Sequence, residues 1–152
     1  MTIMPQRILI ADDEETFRES TAEILAEAGY ACSVARDSAE AESLLENGYD
    51  LLLADVRMPG NAHLEFLENV SRRHPELPVV VITGYPTVGT AVESFRLSIV
   101  DYLIKPVNPN QVWLSLKKII DNKRLVAEKT TTAYQVQFRN LFVALNSNPD
   151  YN

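Results

Sequence analysis

Five short apolar runs, separated by amphipathic segments, constrain the fold of this chain more than any other feature of its sequence. The runs cover residues 7–11, 31–35, 50–54, 78–82 and 100–104. They are continuously apolar rather than alternating, which is the pattern of parallel strands buried on both faces. Strands that alternate with helices along a chain form one sheet through right-handed crossovers. We therefore predict an α/β domain built on a doubly wound sheet of five parallel strands.

The segments between the apolar runs carry apolar residues at helical spacing. In the first segment, Phe17, Thr21 and Leu25 recur on one face, and Gly29 supplies a stop. In the second, Ser38 is the predicted N-cap of a helix that ends at Gly48. The remaining predicted helices cover residues 62–74, with Leu64, Leu67 and Val70 facing inward, residues 87–97, and a stretch that begins near Asn108.

The overall composition limits the class of protein. The chain has 152 residues, a net charge of −7 and 46% hydrophobic residues, enough for one packed domain with an appendage. No apolar stretch approaches the roughly 20 residues of a membrane span, and the N-terminus lacks a signal-peptide pattern. The negative charge argues against direct binding of nucleic acid by this chain. The single Cys32 forms no internal disulfide, which favours a cytoplasmic protein.

Charged and hydroxyl side chains stand where the predicted strands end. Asp12 and Asp13 follow the first run, Asp55 the third, Thr83 the fourth and Lys105 the fifth. Parallel sheets of this class bind ligands beyond the carboxyl ends of their strands, where the strand order reverses. We therefore expect three carboxylates, one hydroxyl and one ammonium group to meet at one edge of the sheet.

These groups together have the composition of a phosphoryl-transfer site. Three neighbouring carboxylates repel one another, and a divalent cation such as Mg²⁺ relieves that repulsion. A carboxylate is also a nucleophile that forms an aspartyl-phosphate. In such a transfer, the metal and a lysine neutralise the phosphoryl charge while a hydroxyl donates to one of its oxygens. The residue types match this chemistry, with Asp55 as the acceptor and Lys105 and Thr83 as catalytic neighbours.

Four segments resemble the receiver domain of two-component response regulators. They read ILIADDEE, DLLLADVRMPG, VVVITGYP and VDYLIKPV, in the order and at the spacing of that family. The resemblance covers residues 6–124 and implies a flavodoxin-like fold with strand order 2-1-3-4-5. It implies that Asp55 accepts a phosphoryl group from a sensor histidine kinase or a phosphotransfer protein. The chain would be a signalling module and not an enzyme, apart from its own phosphorylation and dephosphorylation.

The resemblance also implies a metal site. Asp13, Asp55 and the backbone carbonyl of Arg57 would bind Mg²⁺, or Mn²⁺ in its place. Asp12 would assist, largely through water. Lys105 would pair with the phosphoryl group.

Two residues, by the same resemblance, would report the phosphoryl group to the rest of the domain. In the family, the hydroxyl corresponding to Thr83 moves toward a phosphoryl oxygen, and the aromatic side chain corresponding to Tyr102 rotates inward. The face formed by helix 4, strand 5 and helix 5 then changes. Phosphorylation adds roughly 1.5 to 2 negative charges and three acceptor oxygens, which is enough to bias such an element.

The chain departs from the family pattern beside the expected site. Asn61, Ala62 and His63 stand where relatives usually have an apolar residue, Asp and Gly, so we expect a different start of helix 3. Arg57 and Tyr85 each lie two residues beyond an expected site residue. In the family, side chains at these two positions tune how fast water removes the phosphate, and a large cation and a ring are expected to shield it.

Two other functions compete with that of a phosphoacceptor domain. A hydrolase resembling haloacid-dehalogenase phosphatases would carry its nucleophilic Asp in a D-x-D pattern after the first strand, whereas this chain has ADDEE there. A pseudo-receiver would bind partners without ever accepting phosphate. The full set of expected site residues argues against the pseudo-receiver.

Residues 125–152 are predicted to form a helical extension, a linker or the start of a truncated downstream domain. Tyr134, Phe138, Leu141 and Leu145 recur there at helical spacing, and such a stripe requires a partner surface. We expect homodimerisation through helix 4, strand 5 and helix 5, or through this C-terminal helix as a coiled coil.

Overall fold

A computed structural model of the chain describes residues 5–61, 64–97, 99–106 and 109–125. Strands and helices alternate along it, as the apolar runs predict. The strands are β1 (Arg7–Ala11), β2 (Ala31–Ala35), β3 (Leu51–Asp55), β4 (Val79–Thr83) and β5 (Asp101–Ile104). The helices are α1 (Glu15–Glu27), α2 (Ser38–Leu45), α3 (Glu65–Arg73), α4 (Val88–Arg96) and α5 (Pro109–Leu125).

The five strands form one parallel sheet in the order β2-β1-β3-β4-β5. This confirms the predicted fold class and strand order. The chain runs from β1 outward to β2 on one side, and from β3 outward to β4 and β5 on the other. The order therefore reverses between β1 and β3, whose last residues are brought side by side by the pairing of Ala11 with Ala54. That reversal is where sheets of this class bind ligands.

Apolar side chains of β1, β3 and β4 are buried on both faces of the sheet, which explains the continuous apolar runs of these strands, whereas β2 at the sheet edge is only partly buried. Leu9 on β1 faces a layer that includes Ala41 of α2 and Phe66 of α3. Ile8, one residue earlier on β1, faces the opposite layer, which includes Leu116 of α5. Successive side chains of a strand point to opposite faces, so in a strand buried on both faces, such as β3, every residue from Leu51 to Ala54 meets the core and the first polar residue is Asp55 at the end.

The predicted N-cap of α2 is wrong by one residue. Asp37, not Ser38, caps the helix, because its carboxylate accepts a hydrogen bond of 2.8 Å from the N–H of Glu40. Ser38 instead donates its N–H to the carbonyl of Pro59 at 3.0 Å, and a Cβ at Gly60 would overlap its hydroxyl. The role of Ser38 is thus to hold the loop after β3 against α2. The helix ends at Leu45, before the predicted stop.

Other boundaries shift by one to three residues. β3 and β4 each begin and end one residue later than predicted, so Asp55 and Thr83 are the last residues of their strands. The described part of α3 begins at Glu65 rather than near residue 62, because Leu64 has a φ of 62°, which interrupts helical geometry. Among the described residues, none of the helices combines the length and the apolar character that a membrane span requires.

Candidate functional site

Three carboxylates meet at the carboxyl edge of the sheet, between β1 and β3. Asp12 and Asp13 follow β1, Asp55 ends β3, and their oxygens lie within 4.8 Å of one another. Asp12 and Asp55 are buried, whereas Asp13 is exposed. The structure thus brings together the three carboxylates that the strand ends predict. All three side chains offer oxygen ligands, which is the donor type that Mg²⁺ and Mn²⁺ prefer.

Lys105, which follows β5, reaches into this cluster. Its Nζ lies 2.9 Å from Asp12 Oδ2 and 3.1 Å from Asp55 Oδ2. It also lies 2.9 Å from Glu14 Oε1 and over the ring of Phe17. Burial lowers the pKa of Lys105, but hydrogen bonds to Glu14 and Asp12 outweigh that effect and raise the pKa above its ordinary value. The Lys105 side chain is therefore positively charged, although it is only 12% exposed.

One lysine does not compensate all the negative charge around Asp55. Burial, followed by the charge of Asp12, raises the pKa of Asp55 to about 6. The backbone N–H of Arg57, which donates to Asp55 Oδ1 at 3.0 Å, and the Lys105 ammonium lower that pKa without cancelling the rise. Asp55 is 6% exposed. A second cation beside Asp12 and Asp55 would relieve the remaining repulsion.

Thr83 is fully buried at the end of β4, and both its hydroxyl and its backbone carbonyl accept hydrogen bonds. Its hydroxyl oxygen accepts from the N–H of Tyr85 at 3.0 Å, and its carbonyl accepts from the N–H of Lys105 at 2.7 Å. Because the hydroxyl serves as an acceptor in the first bond, its proton is available to a further acceptor. The ends of β4 and β5 are therefore linked at the same edge as the carboxylates.

Tyr102 lies on β5, two residues before the end of the strand, and is 1% exposed. Its hydroxyl is 2.8 Å from the Oγ1 of Thr90 in the first turn of α4. Thr90 and Thr87 cap that helix reciprocally, each side chain accepting from the other's backbone N–H. Burial raises the pKa of the Tyr102 hydroxyl. The ring expected to report phosphorylation is thus inside the core and is tied to the start of α4.

Sequence reasoning missed two contacts at or near the candidate site. Glu14 belongs to the acidic run ADDEE, but the pattern gave no reason to pair it with a lysine 91 positions away. Thr90 stands three residues after Thr87 at the start of a helical segment, a spacing similar to that of a capping box. That signal was present in the sequence, whereas its link to Tyr102 depends on the packing of α4 on the sheet.

A protein-family model described as the response regulator receiver domain matches residues 8–117. Among curated proteins, the DNA-binding transcriptional regulator NtrC of Escherichia coli is 32% identical over 140 residues, which is 91% of this chain and 28% of that protein. The transcriptional regulatory protein ZraR of Klebsiella oxytoca is 32% identical over 132 residues, which is 86% of this chain and 30% of that protein. The chain therefore spans less than a third of the length of these relatives.

Solved structures agree with that family match. A CheY-like response regulator receiver domain protein from Methanospirillum hungatei superposes with a TM-score of 0.75 at 30% identity, covering 80% of this chain and 98% of that one. NtrX from Brucella abortus, solved in complex with ADP, superposes with a TM-score of 0.71 at 30% identity. That match covers 82% of this chain and 28% of the NtrX chain.

Proposed function

This chain belongs to the response regulator receiver domain family, and from that premise we propose that Asp55 is the acceptor of a phosphoryl group in two-component signalling. One observation carries the proposal. Asp55 ends a buried strand with its Oδ2 3.1 Å from the Lys105 ammonium, inside a cluster of three carboxylates. Burying that much negative charge costs free energy that a structural role does not require.

The same carboxylates are the proposed metal site. Asp13, Asp55 and the backbone carbonyl of Arg57 would hold Mg²⁺ or Mn²⁺, and Asp12 would act largely through water. The raised pKa of Asp55 supports this assignment, because a cation at this position would relieve the repulsion between Asp12 and Asp55. When bound, the metal supplies charge neutralisation for the phosphoryl oxygens.

The reaction proposed for the chain is a simple displacement. A carboxylate oxygen of Asp55 attacks the phosphorus of a phosphohistidine, the new O–P bond forms as the P–N bond breaks, and the imidazole leaves. The Lys105 ammonium moves its ion pairing from Asp55 to the transferred phosphoryl oxygens. Water later reverses the modification by hydrolysis. The chain would perform no other catalysis.

Thr83 and Tyr102 are the proposed switch. The Thr83 hydroxyl already accepts a hydrogen bond from the Tyr85 N–H, and it would donate a hydrogen bond to a phosphoryl oxygen. Because the Tyr102 ring is already buried in this structure, the movement would come chiefly from the loop between β4 and α4. That loop leads to the capping box at Thr87 and Thr90, so the change would reach the face formed by α4, β5 and α5.

The proposed partners follow from this chemistry. A sensor histidine kinase or a phosphotransfer protein would supply the phosphoryl group, and the α4–β5–α5 face or the segment after it would form a homodimer. We assign residues 6–124 to the receiver domain and residues 125–152 to an extension, linker or truncated downstream domain; this second range lies almost entirely outside the described residues. NtrC is named as DNA-binding, but we propose no nucleic-acid contact for the receiver domain itself.

The test is phosphorylation by acetyl phosphate, read by intact mass with and without Mg²⁺. We expect a gain of one phosphoryl group that requires Mg²⁺ and is lost in Asp55→Asn. Asp121→Asn, the same chemical change at an exposed position of α5, should retain the gain. If folded wild-type protein gains no phosphoryl group from acetyl phosphate or phosphoramidate, the pseudo-receiver alternative replaces this proposal.

A further inference from the structure

A buried amide lies in the loop between β3 and α3. Asn61 is 4% exposed, and its side chain makes two hydrogen bonds with the backbone. Its Nδ2 donates to the carbonyl of Val56 at 2.9 Å, and its Oδ1 accepts from the N–H of Phe66 at 3.1 Å. The amide therefore joins the first residue after β3 to the first turn of α3.

The carbonyl held by Asn61 belongs to the peptide unit that also binds the acceptor carboxylate. The C=O of Val56 and the N–H of Arg57 are the two ends of one peptide unit, and that N–H donates to Asp55 Oδ1 at 3.0 Å. A trans peptide unit is planar and rigid, and its C=O and N–H point in opposite directions. The Asn61 amide and the Asp55 carboxylate are thus connected through one rigid unit.

Both hydrogen bonds depend on the amide of Asn61, because an apolar side chain at this position would make neither of them. The loop is also closed locally, because the N–H of Asn61 donates to the carbonyl of Met58 at 3.0 Å. Asn61 is therefore held by its own backbone in the position from which its side chain reaches Val56 and Phe66.

We propose that Asn61 is a positioning residue for the phosphoacceptor. It fixes the Val56–Arg57 peptide unit, which in turn fixes the orientation of the Asp55 carboxylate and couples that orientation to the start of α3. This inference rests on the proposed function, since it assigns a role in a reaction of Asp55. Its structural part, the hold of Asn61 on the Arg57 N–H, is independent of phosphorylation.

The physical consequence of removing the amide follows from these contacts. Without it, the buried carbonyl of Val56 and the N–H of Phe66 lose their partners, and the peptide unit gains freedom to rotate. Rotation would withdraw the Arg57 N–H from Asp55 Oδ1. Of the two contacts to the Asp55 carboxylate, only that between Lys105 and Oδ2 would remain. The carboxylate would then adopt the orientation needed for attack on phosphorus less often.

Two variants separate the roles of the amide, and a third controls for stability. Asn61→Leu resembles the native side chain in size and makes neither hydrogen bond. Asn61→Asp, studied at pH 8, keeps the acceptor for Phe66 and loses the donor to Val56. Val70→Ala removes buried methyl groups from α3 and touches neither Asp55 nor its peptide unit, so it controls for a general loss of stability.

The first measurement is hydrogen exchange of assigned backbone amides by NMR, without any phosphodonor. In Asn61→Asp, the Arg57 amide should exchange about tenfold faster than in Val70→Ala, the change expected from one lost hydrogen bond. The Phe66 amide should remain protected in Asn61→Asp and become exposed in Asn61→Leu. Unchanged protection of Arg57 in Asn61→Asp would overturn the inference, even if Asn61→Leu fails to fold.

The second measurement is the initial rate of phosphorylation by acetyl phosphate at saturating Mg²⁺. Both Asn61 variants should react about tenfold more slowly than Val70→Ala. Rates equal to that of the control would show that Asn61 is merely structural and would overturn the positioning role. If wild-type protein itself does not react, the proposed function fails, and the exchange experiment still decides whether Asn61 holds the Asp55 peptide unit.

Discussion

The guanidinium group of Arg57 lies over the ring of Tyr85, with 4.3 Å between Cζ and the ring centroid. Arg57 follows β3, which ends at Asp55, whereas Tyr85 follows β4. The contact therefore joins the two loops that flank Asp55. Tyr85 is 61% exposed, so the pair lies at the surface rather than in the core, and we predict that it covers the site from solvent.

Removing this cover should shorten the lifetime of the aspartyl-phosphate. We expect the aspartyl-phosphate of the Tyr85→Ala variant to hydrolyse about three- to tenfold faster than that of wild type. The variant loses a cation–π contact of about 1 kcal/mol, and water then reaches the phosphoryl group more readily. The measurement is the decay of phosphorylated protein by intact mass after the donor is removed. Tyr85→Phe keeps the ring, so its phosphorylated form should decay at the wild-type rate. A wild-type rate of decay for phosphorylated Tyr85→Ala would contradict the shielding role.

The metal-free protein should lose stability as the pH rises from about 4 through about 6. The pKa of Asp55 is raised to about 6 in the folded state from 3.8, so the folded protein binds more protons than the unfolded chain in this window. Its free energy of unfolding therefore falls as the pH rises from about 4 to above 6. In EDTA at pH 8, Asp55→Asn should be more stable than wild type by about 1–3 kcal/mol.

Urea unfolding at pH 4 and pH 8 measures this difference. The advantage of Asp55→Asn should vanish at pH 4, where the folded protein already carries a protonated Asp55. Asp121→Asn removes one carboxylate at an exposed position of α5 and is the matched control. A variant that is less stable than wild type at pH 8 would contradict the view that burial and Asp12 dominate at Asp55.

Mg²⁺ should stabilise the folded protein through the carboxylate cluster. At a concentration of 100 times Kd, binding adds about 2.7 kcal/mol to the free energy of unfolding. Asp13 is exposed, so Asp13→Asn should leave the metal-free protein intact and abolish the rise in Tm on adding Mg²⁺. Glu27→Gln, at the far end of α1, should keep that rise, and a full rise in Asp13→Asn would exclude Asp13 as a ligand.

The hydroxyls of Thr90 and Tyr102 should be energetically coupled. A double-mutant cycle with Thr90→Val and Tyr102→Phe is expected to give a coupling of about 1 kcal/mol, the net value of one partly buried hydrogen bond. Thr90→Ser keeps the hydroxyl and should keep most of the coupling. Strictly additive losses in thermal or urea unfolding would show that the 2.8 Å contact contributes no stability of its own.

The C-terminal segment should contribute to dimerisation. The sequence predicts a continuous apolar stripe from Tyr134 to Leu145, which lies outside the described residues. Sedimentation of the full chain should therefore show a dimer that a chain ending at Arg124 does not form. If the full chain and the shortened chain both sediment as monomers, the prediction is contradicted. If both sediment as dimers, the dimer contact lies in the receiver domain.

The alternation of elements and the grouping of site residues could be predicted because both are local patterns combined with one general rule. An apolar run such as residues 78–82 identifies a strand by its length and burial. The rule that parallel strands end at one edge then places Asp55 and Lys105 together, although 50 positions separate them. Boundaries such as the start of α3 could not be predicted, because they depend on the backbone conformation of single residues like Leu64.

By itself, the sequence determined the α/β class, the order of the elements and the set of side chains at the carboxyl edge. The pattern of apolar residues identifies the elements, and the residues that follow each apolar run are those at the strand ends. Tertiary structure alone decided which partners those side chains take. Lys105 pairs with Glu14 as well as Asp55, and Asn61 reaches Val56 because the loop folds back against α3. A hydrogen bond requires two atoms within about 3 Å in a defined orientation. Packing of distant segments sets that distance, and residue spacing along the chain does not.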